Sequence, residues 1–516
     1  MENKKNFLRG ALVLSIAGAI SKLLGAVYRI PLARLLGGEG MGLYQMAYPI
    51  YTTILALATA GVPVAISVLV SRKETEGYSG DSRKIFRVSL VILFLFGIIL
   101  TLLVMQSAHF IANNILKEPR AYYPILAVAP AIFFAGLMSV FRGYFQGQQT
   151  MIPTAVSQVF EQLFRVTAVL ILAFLLFPRG LQYSAAGATF GAVVGGVVGV
   201  IVLSIYYLSF RSKNKTQGRD LKYSGATSME LAREMITLAI PVSFGAVVLP
   251  LVQMLDAIIV PGRLMAINYT TSQATALYGQ LSGMAAILIG LPSIFTIAIA
   301  TSLVPAVSEA LAMKDKKLLN IRINNGFRAG MLISFPCAAG LFILAFPICN
   351  LLYATPEAGV PLEILAFSCI MLAAFQLSSA GLQGIGHPEI AMRNLIITGI
   401  IKVILNYTLT SVPVLNVRGA AIGTVTAFLI GSLLNIIYLQ KLTGVVYEGK
   451  RLVKIGLVTV IMTLGVKFIY QALVGADIHS HISTLLAITV GMGIYGLLLL
   501  LLKELDVDMV KRLIER

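Results

Sequence analysis

From residue 10 to residue 502 the sequence is a succession of apolar stretches about twenty residues long or longer, separated by short polar segments. Twenty apolar residues in helical form cross the hydrocarbon core of a bilayer, about 30 Å thick. By that length rule we count about fourteen spans, among them 10–33, 42–70, 153–177, 184–210, 232–261 and 389–411. Composition agrees: 58% of residues are hydrophobic and 12% are charged, against about 25% charged in soluble domains. The expected fold class is an all-α polytopic membrane protein. Prolines such as Pro63, Pro130, Pro153, Pro241, Pro250, Pro292 and Pro336 punctuate the spans. Membrane helices tolerate them where neighbours re-satisfy the freed backbone groups.

A near-constant offset runs through the chain. Gln146-Gly147 falls on Gln383-Gly384, and Arg165 on Lys402, at a separation of 237 residues. Ser184 to Thr189 falls on Gly419 to Thr424 at 235, Leu43-Tyr44 on Leu277-Tyr278 at 234, and Gly61-Val62-Pro63 on Gly290-Leu291-Pro292 at 229. Each match is short, but their order and spacing imply two related halves, and internal repeats of this kind belong to transporters. The expected domains are a six-helix lobe at 1–220, a second at 221–440, and a segment at 441–516. That last segment holds two extra spans and a short amphipathic tail (503–516) on the cytoplasmic face.

The formal net charge of +18 is concentrated in short loops. This fits the positive-inside rule and not nucleic-acid binding, for which no module is present. Basic loops at Arg72 to Lys84, Arg211 to Lys222, Lys314 to Arg322 and Lys441 to Arg451 alternate with charge-poor ones at 354–360, 412–417 and 475–480. The N- and C-termini are therefore expected in the cytoplasm. The basic start, Met1 to Arg9, reads as the approach to a first span, not as a cleaved signal, because Lys22 and Arg29 interrupt the run and no small-residue cleavage site follows. Cys337, Cys349 and Cys369 lie in apolar stretches without metal spacing and read as small core residues. His479 and His481 belong to a loop and form no ligand set.

Charges inside the spans carry the functional argument, since each costs about 2.5–3.5 kcal/mol at the bilayer centre. The basic set is Lys22, Arg29, Arg34, Arg142, Arg165 and Lys402; the acidic set is Glu161, Asp256 and Glu363. Simpler readings exist. Arg34 can sit at the interface, Arg142 can snorkel, and Glu161 with Arg165 four residues on can form a helical pair. Lys402 has only Asn406 as a polar neighbour at i+4. The positive excess points to a wet cavity that attracts an anion, with arginine matched to phosphate geometry. Asp256 and Glu161 are the candidates for holding a coupling ion, H⁺ or Na⁺; no other cofactor and no metal is expected. Gly187, Gly191, Gly195 and Gly199 share one helix face and permit close backbone approach. No P-loop is present, so ATP hydrolysis is not expected.

Ser21-Lys22-Leu23-Leu24-Gly25, Arg29-Ile30-Pro31-Leu32-Ala33-Arg34, Glu39-Gly40-Met41-Gly42-Leu43-Tyr44, Gly61-Val62-Pro63-Val64-Ala65-Ile66-Ser67 and Phe141-Arg142-Gly143-Tyr144-Phe145-Gln146-Gly147 resemble the polysaccharide transporter family. That family lies within the multidrug/oligosaccharidyl-lipid/polysaccharide flippase superfamily, and the resemblance is strongest to its stage V sporulation protein B and lipid II flippase branch. It implies a multidrug-exporter-like fold with two six-helix lobes around a cationic cavity. The implied cargo is a polyprenyl-pyrophosphate-linked saccharide flipped across a bacterial cell membrane, with membrane lipids and cell-wall synthesis proteins as candidate partners. Lys22 matches the basic position of the family's first helix. The family's arginines of the second and eighth helices are not matched: the span from Tyr44 to Val70 has none, and Gln280 stands near the expected place in the eighth. Two other functions compete: export of a drug or small cation, which favours an acidic cavity, and a non-transporting scaffold in envelope or spore assembly.

Overall fold

The computed structural model describes residues 2–216, 222–502 and 504. Among these, all regular structure is helical. The chain divides into two units that each pack mainly on themselves: residues 1–262 with 270–279, and residues 263–269 with 280–516.

The first unit holds α1 (Glu2–Val27), α2 (Arg29–Thr59), α3 (Val62–Thr75), α4 (Ser79–Phe110), α5 (Tyr122–Val128), α6 (Pro130–Gly147), α7 (Ile152–Leu176), α8 (Leu181–Thr216), most of α9 (Ser228–Ala266) and α10 (Thr271–Tyr278). The second holds α11 (Ala286–Ala312), α12 (Lys316–Ile343), α13 (Ala345–Tyr353), α14 (Gly359–Leu365), α15 (Ser368–Gly384), α16 (Pro388–Leu409), α17 (Val417–Thr443), α18 (Gly449–Gly475) and α19 (Ser480–Leu501). Among the described residues, twelve helical stretches are long and apolar enough to cross a membrane. A further pair, Pro356–Leu365 with Ser368–Gly384, bent by 44°, makes thirteen. One stretch, Ile16–Thr75, runs for 60 residues. At 1.5 Å per residue it is about 90 Å long, enough for two crossings, and Gly37 interrupts its helical backbone with φ of 63°. Of the expected amphipathic tail only Glu504 lies within the described residues.

Each unit has its own core. Ile66, Leu69, Ile85, Phe86, Phe141 and Leu203 are buried together in the first, where Phe86 stacks on Tyr207 at 4.4 Å. Leu303, Val307, Ile323, Leu377 and Leu439 do the same in the second. Cys349 and Cys369 are buried in apolar surroundings and Cys337 is half-buried. The helix pair α18–α19 packs on α12, where the Tyr495 hydroxyl donates to the Leu332 carbonyl at 2.9 Å.

The units repeat one another at the level of single hydrogen bonds. After α6, the amides of Gln148, Gln149 and Thr150 donate to the carbonyls of Tyr144, Gln146 and Phe145; after α15, Ile385, Gly386 and His387 donate to Gly381, Gln383 and Leu382. Every partner is displaced by 237 residues. Left-handed backbone recurs in the same register, at Gly77 and Lys314, Lys117 and Ala354, and Gln149 and Gly386. A Cβ on Gly147 would lie 2.7 Å from Cβ of Val70, and one on Gly384 would lie 2.7 Å from Cβ of Val307. Only hydrogen fits at either helix crossing.

Gly147→Ala and Gly384→Ala should therefore each destabilise the protein by about 1–3 kcal/mol through overpacking. The two costs should agree within about 1 kcal/mol if the crossings are equivalent. Thermal unfolding of the purified variants in detergent checks this, and a large cost at one position with none at the other would contradict the equivalence.

Candidate functional site: an arginine and tyrosine cluster

In the first unit, α6 and α7 bring three charged groups together. Arg142 on α6 bonds through Nη2 to Glu161 Oε2 at 2.7 Å, and Arg165 bonds through Nη2 to Glu161 Oε1 at 2.6 Å. Arg142 Nε also donates to Ser157 Oγ at 3.2 Å. Positions 157, 161 and 165 are one turn apart on α7, so a single helix face carries the serine, the acid and the second guanidinium. Glu161 serves two arginines, and its bonds to both are charge-assisted. The cluster keeps a positive excess.

The glycine stripe on α8 is what allows this packing. A Cβ on Gly195 would come within 2.7 Å of the Glu161 carbonyl oxygen, 2.9 Å of Arg165 Cβ and 3.4 Å of Arg165 Nε. Gly191 meets the Arg165 carbonyl oxygen and Val169 in the same way. With hydrogen in place of a side chain, α8 lies directly on the charged face of α7 and holds Arg165 in one position.

Tyrosines extend the cluster. Tyr28 and Tyr44 share a hydrogen bond of 3.0 Å between hydroxyls. Tyr44 stacks on Tyr48 at 5.6 Å, and Tyr48 meets Tyr51 edge-on at 5.8 Å. Arg29 places its guanidinium over the Tyr48 ring, 5.7 Å from its centroid. Helix α7 packs on α2 and brings Arg165 near Tyr28, Tyr48 and Tyr51. Arg29 and Arg165 are thus joined through one aromatic ladder. The Nε atoms of both are buried without a hydrogen-bond partner. Helix α1 closes against α7, where Ser21 Oγ donates to the Gln158 carbonyl at 3.4 Å. The sequence signal for the ladder is the spacing Tyr44, Tyr48, Tyr51, which puts three phenols on one helix face.

The remaining residues singled out by sequence lie elsewhere. Lys22 is exposed on α1, one residue after Ser21, and Arg34 is exposed on α2 ahead of the Gly37 break. Asp256 is buried on α9. Lys402 is half-buried on α16 in the second unit. The positions displaced by 237 residues from Arg142, Ser157, Glu161 and Arg165 are Ser379, Asn394, Thr398 and Lys402. There Asn394 Nδ2 donates to Asn435 Oδ1 at 2.9 Å and Asn435 Nδ2 to Ser379 Oγ at 2.8 Å. A neutral amide network occupies the place of the ion pairs, and of the four positions only Lys402 is charged.

Sequence reasoning missed a second charged group in the first unit. Glu118 is fully buried and receives bonds from Arg120 Nε and Nη2 at 2.9 and 2.8 Å and from Thr275 Oγ1 at 2.7 Å. Arg120 Nη1 reaches Glu39 at 2.7 Å, and Ser272 Oγ donates to Glu39 at 2.5 Å. This network fastens α10 to α2. Its charged groups pair with one another, which makes it a structural fastening.

A family model described as polysaccharide biosynthesis protein matches residues 7–311, and one described as MatE matches residues 241–408. Stage V sporulation protein B of Bacillus subtilis (strain 168) is 32% identical over 439 residues, covering 85% of this chain and 84% of that protein. The lipid II flippase MurJ of the same organism is 30% identical, covering 95% and 94%. A solved structure of lipid II flippase MurJ in an inward closed conformation superimposes with a TM-score of 0.72, covering 97% of this chain and 100% of that one at 16% identity. At that identity the likeness is one of fold.

Glu161→Gln should strand two guanidiniums and lower stability by about 3–5 kcal/mol, the cost of breaking a buried pair from one side. Glu161→Asp, which keeps the charge, should lose less. Unfolding midpoints of the two variants in detergent measure the difference; equal losses would mean that side-chain length, not charge, organises the cluster.

Proposed function

The chain belongs to the polysaccharide biosynthesis family of multi-pass membrane transporters, and from that premise we propose that it flips an anionic polyprenyl-pyrophosphate-linked saccharide from the inner to the outer leaflet by alternating access. It acts in this reading in a bacterial cell membrane, with both termini cytoplasmic. The reading takes 1–220 and 221–440 as the repeated lobes and 441–516 as appended spans, with α9 and α10 of the second lobe packing mainly in the first unit. The observation that carries the proposal is the excess of guanidinium over carboxylate among Arg29, Arg142, Arg165 and Glu161, set within an apolar helical unit. A cation kept at such depth is costly unless it is used, and guanidinium matches the oxygens of a pyrophosphate. Arg29 and Arg165 supply the anion contacts in this scheme, the tyrosines supply hydroxyls to the same headgroup, and Lys22, Arg34 and Lys402 add charge along its route. Glu161 holds Arg142 and Arg165 in place when the cargo has left. A cationic drug would be repelled by this set, which disfavours export of such compounds.

The membrane potential, negative inside, favours outward movement of the cargo by about 2.3 kcal/mol per net charge per 100 mV. Asp256, buried on α9, is the group assigned to carry H⁺ or Na⁺ on the return step. Cell-wall synthesis enzymes are the partners this reading implies.

Lys22→Ala, Arg165→Ala and Lys402→Ala should each slow headgroup translocation in proteoliposomes at unchanged protein level. Loss of one charge-assisted contact predicts roughly a tenfold effect or more. Collapse of the potential should slow flipping further, and Asp256→Asn should alter its dependence on pH or Na⁺. Full activity of all three alanine variants and of their combination would leave a non-transporting scaffold as the better reading. Full activity without a potential, and unchanged in Asp256→Asn, would leave a passive scramblase. A cysteine introduced at Lys314 should react with impermeant reagent only from the cytoplasmic side, which checks the orientation.

A further inference from the structure

The second unit has a cavity of about 440 Å³ at the end that carries its basic loops. It is walled by the end of α11, the first turn of α12, the turn between α15 and α16, and the end of α17. Leu311, Leu319, Ile385 and Leu442 form its apolar surface, and Lys314, Lys316 and His387 stand on its rim.

The repeat explains why the cavity exists. The turn Ala310 to Asp315 is the counterpart of Lys73 to Tyr78, with the same pair of backbone bonds: Lys314 to Leu311 and Asp315 to Ala310, as Gly77 to Glu74 and Tyr78 to Lys73. In the first unit the Lys73 ammonium lies over the Tyr78 ring at 5.5 Å, and Gln148 Nε2 donates to Glu74 Oε1 at 2.6 Å, tying the α3 end to the α6–α7 turn. In the second unit those four positions are Ala310, Asp315, Leu311 and Ile385. Two bulky groups have become small, and a polar tie has become two apolar walls that cannot bond. What is left is a greasy recess on a shared backbone, without the strap that crosses its counterpart.

The charges around it favour an anion. Asp315 also lines the recess and is exposed, but it caps α12, its Oδ1 accepting from the amides of Lys317 and Leu318 at 2.9 Å each, so the two lysines outnumber it by one charge. His387 bonds to Glu389 at 2.8 Å. Lys314 and Lys316 are exposed and form no ion pair among the described residues. An apolar recess rimmed by ammonium groups at the basic end of a membrane protein has the two-part character of a lipid: a phosphate for the lysines and hydrocarbon for the leucines. We propose that this cavity is a binding site for an anionic phospholipid, with the headgroup phosphate held by Lys314 and Lys316 and the adjoining hydrocarbon against Leu311, Leu319, Ile385 and Leu442. The site does not depend on the identity of the transported cargo.

The full chain in detergent, mixed with phosphatidylglycerol, phosphatidylcholine or inorganic phosphate and examined by native mass spectrometry, tests this. Phosphatidylglycerol should be retained in preference to phosphatidylcholine. Lys314→Ala/Lys316→Ala should weaken retention roughly 25-fold, about fivefold for each lysine. Leu442→Trp, which fills the recess and leaves the charge alone, should also weaken it. Lys450→Ala/Arg451→Ala, basic residues of the same end outside the recess, should not. Melting temperatures of the lipid-free variants control for folding. Equal retention of phosphatidylglycerol by the lysine variant or by the filled variant would overturn the proposal. So would equal retention of the two lipids, or displacement of phosphatidylglycerol by millimolar phosphate, which would mark a site for a soluble anion.

Discussion

The first unit is organised around a single carboxylate. Glu161 satisfies guanidiniums from two helices, and each of those arginines is otherwise an uncompensated charge in an apolar environment. The ion pairs fix the rotation of α7 against α6, and the close approach of α8 through Gly191 and Gly195 follows from that rotation. The phenols on α2 then line up beside a guanidinium held from behind. The arrangement has positional stiffness without neutrality, since one acid cannot cancel two bases. The hydrogen bonds that hold the arginines do not use all of their donors, since Nε of Arg29 and of Arg165 is buried without a partner.

The fold was legible because its main determinant is one-dimensional. Apolar runs of membrane length force helices, and the offset of 237 residues is visible without knowing any contact. The site was legible in part. Arg165 with Glu161 could be read from i,i+4 spacing, but Arg142 reaches Glu161 across a helix pair, and its position near an end of its span suggested snorkelling instead. Tyr28, Tyr48 and Tyr51 escaped notice because tyrosine is ordinary in membrane helices, and only the partner helix shows that the phenols lie beside guanidinium groups. The Glu118–Arg120–Glu39 network escaped because its acceptors and donors are scattered over three segments, and Glu118 lies in a short loop where charge is expected to be solvated. In each case the missing information was a contact between helices, which a pattern along one helix does not contain.

The two units show which parts of the repeat are free to diverge. Backbone turns, left-handed residues and the glycine contacts on Val70 and Val307 are held in common. Side chains at equivalent depths are not: ion pairs stand in one unit where amides and hydroxyls stand in the other. Both solutions pair most of their buried polar groups, leaving Arg165 Nε unbonded in one and Asn394 Oδ1 in the other, so both are compatible with one backbone. Chemistry has changed while helix geometry has not, and the glycine crossings account for this, since a contact made by backbone atoms is indifferent to the side chains a turn away.

The bond between Arg142 and Glu161 also bears on how the chain enters a membrane. Synthesis runs from the N-terminus, so α6 emerges with its arginine before α7 brings the carboxylate. Until then the guanidinium has no acid to answer it, and α7 in turn carries both an acid and a base. The connection between the helices, residues 148–151, is too short to let one wait far from the other. Insertion of the two as a hairpin, with the charges already joined, avoids the separate cost of placing each in hydrocarbon. The turn whose hydrogen bonds recur in the second unit is thus also the element that keeps an early arginine within reach of its late partner.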